Sequence, residues 1–261
     1  GMAAFAASLK DLMRDQLAAG QRLVFGTLTV SHEKADSLRS TKRALDKAWA
    51  LTIRSKVWRG LFDERIRKAE VEYTHKAGWH PHFHFIGRRK RADKFWHTRR
   101  DVCEQKLREV WSRSTRKCGR NGYQVKLYEV RRGPTPDTVY SWVHPRMAGY
   151  WAEKAAKGKA QVKREGGNLY RVQTLDQLVS EVCKYVTKPA QSAGKSNQVP
   201  FAAWTPEMVR EYALGVAGWN LLRASKGWEA IIAQFDAGQD VQKELAAAAA
   251  GGRTVLSWPK I

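Results

Sequence analysis

The stretch His80-Pro81-His82-Phe83-His84-Phe85-Ile86 decides how the rest of this chain is read. Histidine recurs at every second position. On an extended strand those imidazoles therefore project from one face, while Phe83 and Phe85 project from the other. One side becomes a row of nitrogen donors on a rigid element, and the other an apolar surface that anchors the strand. A lone histidine is more often a hydrogen-bonded core residue than a ligand. Three in alternation with aromatics predict half of a metal site.

Just upstream, Ile66 to Thr74 alternates as a second strand with Glu70 and Glu72 on one face, and His75-Lys76-Ala77-Gly78-Trp79 forms a connecting turn. Antiparallel pairing centred on Lys76 sets Glu70 opposite His82 and Glu72 opposite His80. A carboxylate then falls beside the histidines across the hairpin. Two imidazoles and one carboxylate leave open positions on a divalent ion, which suits Mn²⁺ or Mg²⁺ acting on a phosphate oxygen. The same ligands would accept a catalytic Zn²⁺.

Around this hairpin the chain reads as an α+β fold. Residues 3–19 have a helical pattern, and Arg22 to Val30 is a β-branched, alternating strand. Leu38, Leu45, Trp49, Ile53 and Val57 follow a helical period from Asp36 to about Trp58, with Asp36 and Ser37 as caps. After the histidine strand come Arg88-Arg89-Lys90-Arg91 and a helix from about Asp93 to Arg116. Its outer face carries Lys94, Arg99, Arg100, Lys106, Arg108 and Arg113, a candidate phosphate-tracking surface. Tyr123 to Arg132 alternates as a further strand. The order βαββαβ predicts an antiparallel sheet of ferredoxin-like or RNA-recognition type. Residues 133–170 read as a long insertion with some helix near 146–157. Leu175 to Lys188 is helical and ends at Pro189. Two more helices are expected within 201–235, the first capped at Thr205-Pro206-Glu207. The expected organisation is an N-terminal helix over 1–21, a core domain over 22–190, and a C-terminal helical region with a tail over 191–261.

Composition narrows the function. Lys and Arg outnumber Asp and Glu by 47 to 25, a formal charge of +22, and the chain has 11 tryptophans. Such a chain suits a polyanion, and aromatics among the charges favour nucleic acid over a membrane surface. The charge argues against a metal hydrolase of small molecules. No apolar run approaches the ~20 residues of a membrane helix. Cys103, Cys118 and Cys183 lack CxxC spacing, so neither a zinc knuckle nor a disulfide framework is indicated, and reduced thiols in a cytoplasm are expected.

A second constellation lies at Glu181-Val182-Cys183-Lys184-Tyr185-Val186-Thr187-Lys188. On a helix, Glu181, Tyr185 and Lys188 share one face. A phenol with a pKa of about 10 is a poor nucleophile at neutral pH. A metal ion polarising a phosphodiester would let it attack and form a phosphotyrosine link.

Taken together, these segments resemble a known family. His82-Phe83-His84, within His-Pro-His-Phe-His, resembles the HUH motif of rolling-circle replication initiators of small plasmids. Phe25-Gly26-Thr27-Leu28-Thr29 is similar to their first motif, and Glu181-x-x-x-Tyr185-x-x-Lys188 to their third. Order and spacing agree over residues 22–190. The branch most similar has a single nucleophilic tyrosine with a glutamate one helical turn before it.

The resemblance implies a site-specific nicking and rejoining enzyme. Tyr185 would attack single-stranded origin DNA, retain the 5′ phosphate and release a 3′ hydroxyl to a host polymerase. His82 and His84, with Glu70, would hold the metal; His80 and Glu72 are alternatives. Glu181 would activate water at termination, and Lys188 would help position phosphate or metal. Arg88, Arg89, Lys90, Arg91, Lys94, Arg99 and Arg100 would contact DNA. The implied partners are plasmid origin DNA with its flanking duplex, and a host helicase and polymerase. Pro189 agrees with the single-tyrosine scheme. Gly26 departs from the bulkier residue often found in the first motif, and His32 reads as a loop or DNA contact. An HUH transposase or relaxase would use the same chemistry on a different DNA. A non-catalytic binding module would instead present aromatics on the sheet face.

Overall fold

The computed structural model describes residues 2–90, 100–180, 199, 203–220, 222–225 and 228–229. From the N-terminus these form helix α1 (Met2–Ala18), strand β1 (Leu23–Val30), helices α2 (Leu38–Ile53) and α3 (Lys56–Leu61), and strands β2 (Phe62–Thr74) and β3 (Gly78–Arg89). Helix α4 (Arg100–Arg116) and strands β4 (Gly122–Arg132) and β5 (Thr138–Trp142) follow. Then come α5 (Ala148–Ala156), β6 (Gln161–Glu165), β7 (Asn168–Thr174), a helix α6 over 175–180, α7 (Pro206–Val216) and β8 (Leu222–Ala224). The strands form one antiparallel sheet in the order β6-β7-β5-β4-β1-β3-β2-β8, making a mixed α+β fold.

The hairpin has the register expected of it. Glu70 pairs with His82, Glu72 with His80 and Thr74 with Gly78. Gly78 closes the turn at φ +71°, a left-handed backbone, and a Cβ there would lie 2.8 Å from the Lys34 carbonyl oxygen.

Alternation along the strands gives each face of the sheet its own core. On one face, Val24, Leu28, Phe83 and Phe85 lie beneath α2, α3 and α4, against Leu45, Trp49, Trp58, Leu107 and Trp111. The aromatics meet edge-on or tilted, as their quadrupoles favour: Trp49 lies 5.6 Å from Phe83, and Trp58 5.0 Å from Phe85. Phe85 also explains Gly26, because a Cβ at position 26 would sit 2.1 Å from the Phe85 ring. On the opposite face, Leu9, Met13 and Leu17 of α1, spaced at helical intervals, pack with Leu175, Leu178 and Val179 of α6. They cover Leu23, Phe25, Ile66, Ile86 and Val130. This second cluster ends at the row Phe25–Ile86–Ile66. The next rows on that face carry polar residues.

Several elements differ from the sequence reading. The helix expected over 36–58 is two helices, because Ser55 starts a new one by accepting a hydrogen bond from the Trp58 N–H. Residues 133–170, expected as a long insertion with some helix, hold more regular structure than that. They contain α5, as expected near 146–157, but β5, β6 and β7 extend the sheet beyond β4. The β6–β7 turn is Gly166-Gly167, with φ of +54° and +74°. In the 201–235 region, α7 begins at the predicted cap, with Thr205 accepting from the Met208 N–H. Residues 222–224, expected to be helical, instead pair with Ile66–Lys68 as an edge strand. The part of 175–188 beyond Ser180, and the tail, lie outside the described residues.

Candidate metal centre

Four neighbouring strands position the site. The register aligns Gln124 (β4), Thr29 (β1), His82 (β3) and Glu70 (β2) in one row across the sheet, on the face of α1 and α6. The adjacent row holds Lys126, Thr27, His84 and Lys68. Phe83 and Phe85, on the reverse, fix β3 in the core, so the histidines stand on a rigid support.

Glu70, His82 and His84 converge, with one potential ligand atom from each lying within 4.8 Å of the others. Glu70 Oε2 lies 3.2 Å from His82 Nε2 and 2.8 Å from His84 Nε2. The remaining ring nitrogens are also engaged. His82 Nδ1 lies 3.2 Å from the His80 carbonyl oxygen, which can only accept, so this nitrogen carries the proton. His84 Nδ1 lies 3.1 Å from Thr27 Oγ1. Such partners orient imidazoles and leave both Nε2 atoms as donors toward a shared point. Across the row, Thr29 has a buried hydroxyl with no protein partner. Donor set, convergence and an unpartnered hydroxyl fit a divalent cation, and the Glu70–His82–His84 group could hold one.

Electrostatics support the same reading. Glu70 and His82 are both buried. Burial opposes ionisation of Glu70, but hydrogen bonds and charge from His82 and His84 outweigh it and hold its carboxyl well below the usual range. Burial likewise opposes charging of His82, yet the bond to Glu70 and its charge raise this histidine. At His84 burial prevails over the pull of Glu70, and the value falls.

His80 and Glu72 do not belong to the converging group. His80 Nδ1 lies 2.6 Å from His32 Nε2, and His32 Nδ1 lies 3.0 Å from the Ala77 carbonyl oxygen. Because that oxygen only accepts, His32 donates from Nδ1 and accepts at Nε2, so His80 donates from Nδ1. Burial first, and the charge of His82 second, push His80 down to about 3. His32, read as a loop or DNA contact, thus braces His80. Glu72 stands opposite His80, half-buried.

The basic candidates divide. Arg89 is a correction: it is 2% exposed and donates to Glu129 at 2.7 Å, so it belongs to a buried ion pair and not to a DNA-facing surface. Arg88 is held by Asp63 at 2.9 Å and Glu64 at 3.2 Å. Lys90 is half-buried, and its backbone N–H donates to Leu61. Arg91, Lys94 and Arg99 lie outside the described residues, and of Arg100 only the backbone, at the start of α4, is described. Glu181, Tyr185 and Lys188 also lie outside them. Helix α6, described up to Ser180, packs on the same sheet face as the triad.

Thr27 and Lys68 were not singled out from the sequence. Thr27 lies in the first-motif stretch, but its role depends on the β1–β3 register, which no turn connects. Lys68 lies two residues before Glu70, and the same alternation that aligned Glu70 with His82 sets Lys68 against His84.

No family model matches the chain, and no curated protein matches it. Among solved structures it is similar to the crystal structure of a protein named as a candidate chlorite dismutase. The identity is 8%, the match covers 69% of this chain and 90% of that one, and the TM-score is 0.24. A likeness at that level carries no functional argument. Among the described residues, no helix is long and apolar enough to cross a membrane.

Proposed function

We propose that this chain is a metal-dependent nicking and strand-transfer enzyme of the HUH type, acting on single-stranded origin DNA as a rolling-circle replication initiator. The observation that carries the proposal is the convergence of His82 Nε2 and His84 Nε2 on Glu70 Oε2 at 3.2 and 2.8 Å on one face of the sheet. The central strand order β4-β1-β3-β2, with α2 to α3 and α4 as the crossovers, supports a ferredoxin-like core with an extension on each side. The charge of +22 supports a polyanionic substrate.

In this reading Glu70, His82 and His84 would hold Mn²⁺ or Mg²⁺, which would supply positive charge to polarise a phosphodiester. The Tyr185 hydroxyl attacks phosphorus. The new bond joins its oxygen to the 5′ phosphate, the bond to the 3′ oxygen breaks, and the phenol's proton passes to solvent while the 3′ oxygen leaves as a hydroxyl. Glu181 accepts a proton from the water that later releases the 5′ phosphate, and Lys188 steadies the phosphate by its charge. Thr27 and the His80 carbonyl keep the two imidazoles turned toward the substrate.

A non-catalytic RNA-recognition-type module would present aromatics on this face, where histidines and a glutamate stand instead, which favours the enzyme. The test is incubation with Mn²⁺ and a labelled single-stranded origin oligonucleotide. The label should remain on the protein under denaturing conditions and vanish in Tyr185→Phe. Label retained unchanged in that variant overturns the assignment.

A further inference from the structure

Helix α5 packs against β6, yet none of its residues is buried. Tyr150 is 48% exposed, and Met147, three positions earlier, 45%. The register shows which side of the sheet this helix occupies. Leu23, Val130, Ser141, Arg171 and Val162 form one row across β1, β4, β5, β7 and β6. Leu23 lies an even number of residues from Thr29 on β1, so the row shares its face with the triad. On that face the Arg171 guanidinium lies 4.7 Å from the Trp151 ring centre. Helix α5 therefore stands on the triad's side of the sheet.

The charges around it are unequal. Lys163 and Glu165 alternate to the opposite face, where Glu165 pairs with Lys163 at 3.0 Å and with Arg131 at 2.8 Å. Glu153 pairs with Lys157, and the flanking acids Asp137 and Asp176 pair with Arg14 and Lys10 of α1. Every acid of the segment thus has its cation. Arg146, Lys154, Lys159 and Arg164 have no ion-pair partner among the described residues, and all but the half-buried Lys154 are exposed. The Lys154 ammonium instead lies 5.4 Å from the Tyr150 ring centre. Arg146 and Lys159 bracket a helix about 14 Å long, while Arg164 shares the Val162 side of β6.

A surface cation alone needs no explanation. Several around an exposed ring match a strand whose phosphates follow the charge while an unpaired base stacks on the aromatic. A duplex keeps its base faces covered, so there the ring would contribute nothing.

We propose that α5 and β6 form a docking surface for single-stranded nucleic acid, in which Tyr150 stacks on an unpaired base and Arg146, Lys159 and Arg164 bind backbone phosphates. The inference rests on reading the chain as an enzyme of single-stranded DNA, and it places part of that substrate outside the metal centre.

The test measures affinity by anisotropy, with metal chelated, for a fluorescein-labelled oligothymidylate and for its duplex with oligoadenylate. Tyr150→Ala should weaken single-strand binding by about five-fold or more and leave duplex binding unchanged. Tyr150→Phe keeps the ring and should bind as wild type. Arg146→Gln with Lys159→Gln should lower the slope of log affinity against log salt by about 1.4, at about 0.7 for each phosphate contact. Arg43→Gln, an exposed cation on α2 across the sheet, should leave it unchanged. Unaltered single-strand affinity in Tyr150→Ala overturns the inference, as does an equal loss on the duplex or an equal slope change in Arg43→Gln. The Tyr185 adduct is measured separately at saturating oligonucleotide. A wild-type adduct with unaltered affinity in Tyr150→Ala sinks the surface and leaves the function standing; the expected affinity losses without a wild-type adduct do the reverse.

Discussion

Replacing Glu70 by Gln keeps the shape of the side chain and removes its charge, so it separates two roles of the triad. Without metal, Glu70 accepts from His82 and His84 at 3.2 and 2.8 Å in a buried setting. Hydrogen bonds to a charged group are worth about 1.5–3 kcal/mol, and breaking a buried pair costs about 3–5 kcal/mol. Gln still accepts one bond and is cheaper to bury, so the metal-free loss should be ~3 kcal/mol at most. For a chain of this size each kcal/mol moves Tm by about 2–4 °C, giving a fall of ~6–12 °C. Metal adds a second contrast. One ion at a hundred times its dissociation constant stabilises the folded state by about 2.7 kcal/mol, or ~5–11 °C. Differential scanning fluorimetry with and without Mn²⁺ reads both. Wild type should gain the metal increment, while Glu70→Gln should start lower and gain almost none. A Glu70→Gln protein that rises with Mn²⁺ as far as wild type would refute the carboxylate's part in the centre.

Other predictions follow from particular contacts. Gly26→Ala places a Cβ where the Phe85 ring lies, so the ring and its aromatic neighbours must shift; a loss of about 1–3 kcal/mol is expected in urea unfolding, and a neutral result would contradict the packing. Asp36 is held at about 2, chiefly by its hydrogen bond from Arg120 Nη2 at 2.7 Å, below its ordinary value. Its folded-state pKa is depressed, so its contribution is complete above the unfolded value of about 3.9 and is lost as pH falls toward 2. Asp36→Asn should therefore flatten the acid limb of stability between those values, and an unchanged limb would argue against the pair. In the nicking assay, Glu181→Ala should form the tyrosine adduct and accumulate it, whereas normal release would remove Glu181 from the hydrolytic step.

How far the sequence revealed the fold depended on whether signals were local. The hairpin register was legible because a short turn joins its strands and histidine and glutamate mark one face. Pairing between β1 and β3 involves residues some 55 positions apart, so Thr27 gave no hint that it meets His84. Strands β5, β6 and β7 were hidden by their shortness, and β6 also by its exposed basic residues. One signal was present, since Gly166-Gly167 between Arg164-Glu165 and Asn168-Leu169 is a two-residue hairpin turn. The α2–α3 break escaped notice because the apolar period continues through it, and only Ser55 marks the new start. Runs of basic residues mislead for a different reason. Arg89 finds Glu129, 40 positions away, and Arg67 finds Asp46 at 3.1 Å beneath the helices. A buried ion pair cannot be told from a surface charge until the partner's place is known.

The most direct test is pulsed electron paramagnetic resonance of the protein loaded with one equivalent of Mn²⁺. The account predicts modulation from two imidazole nitrogens, reduced to one in His84→Ala. A spectrum of Mn²⁺ surrounded by oxygen donors alone would contradict it.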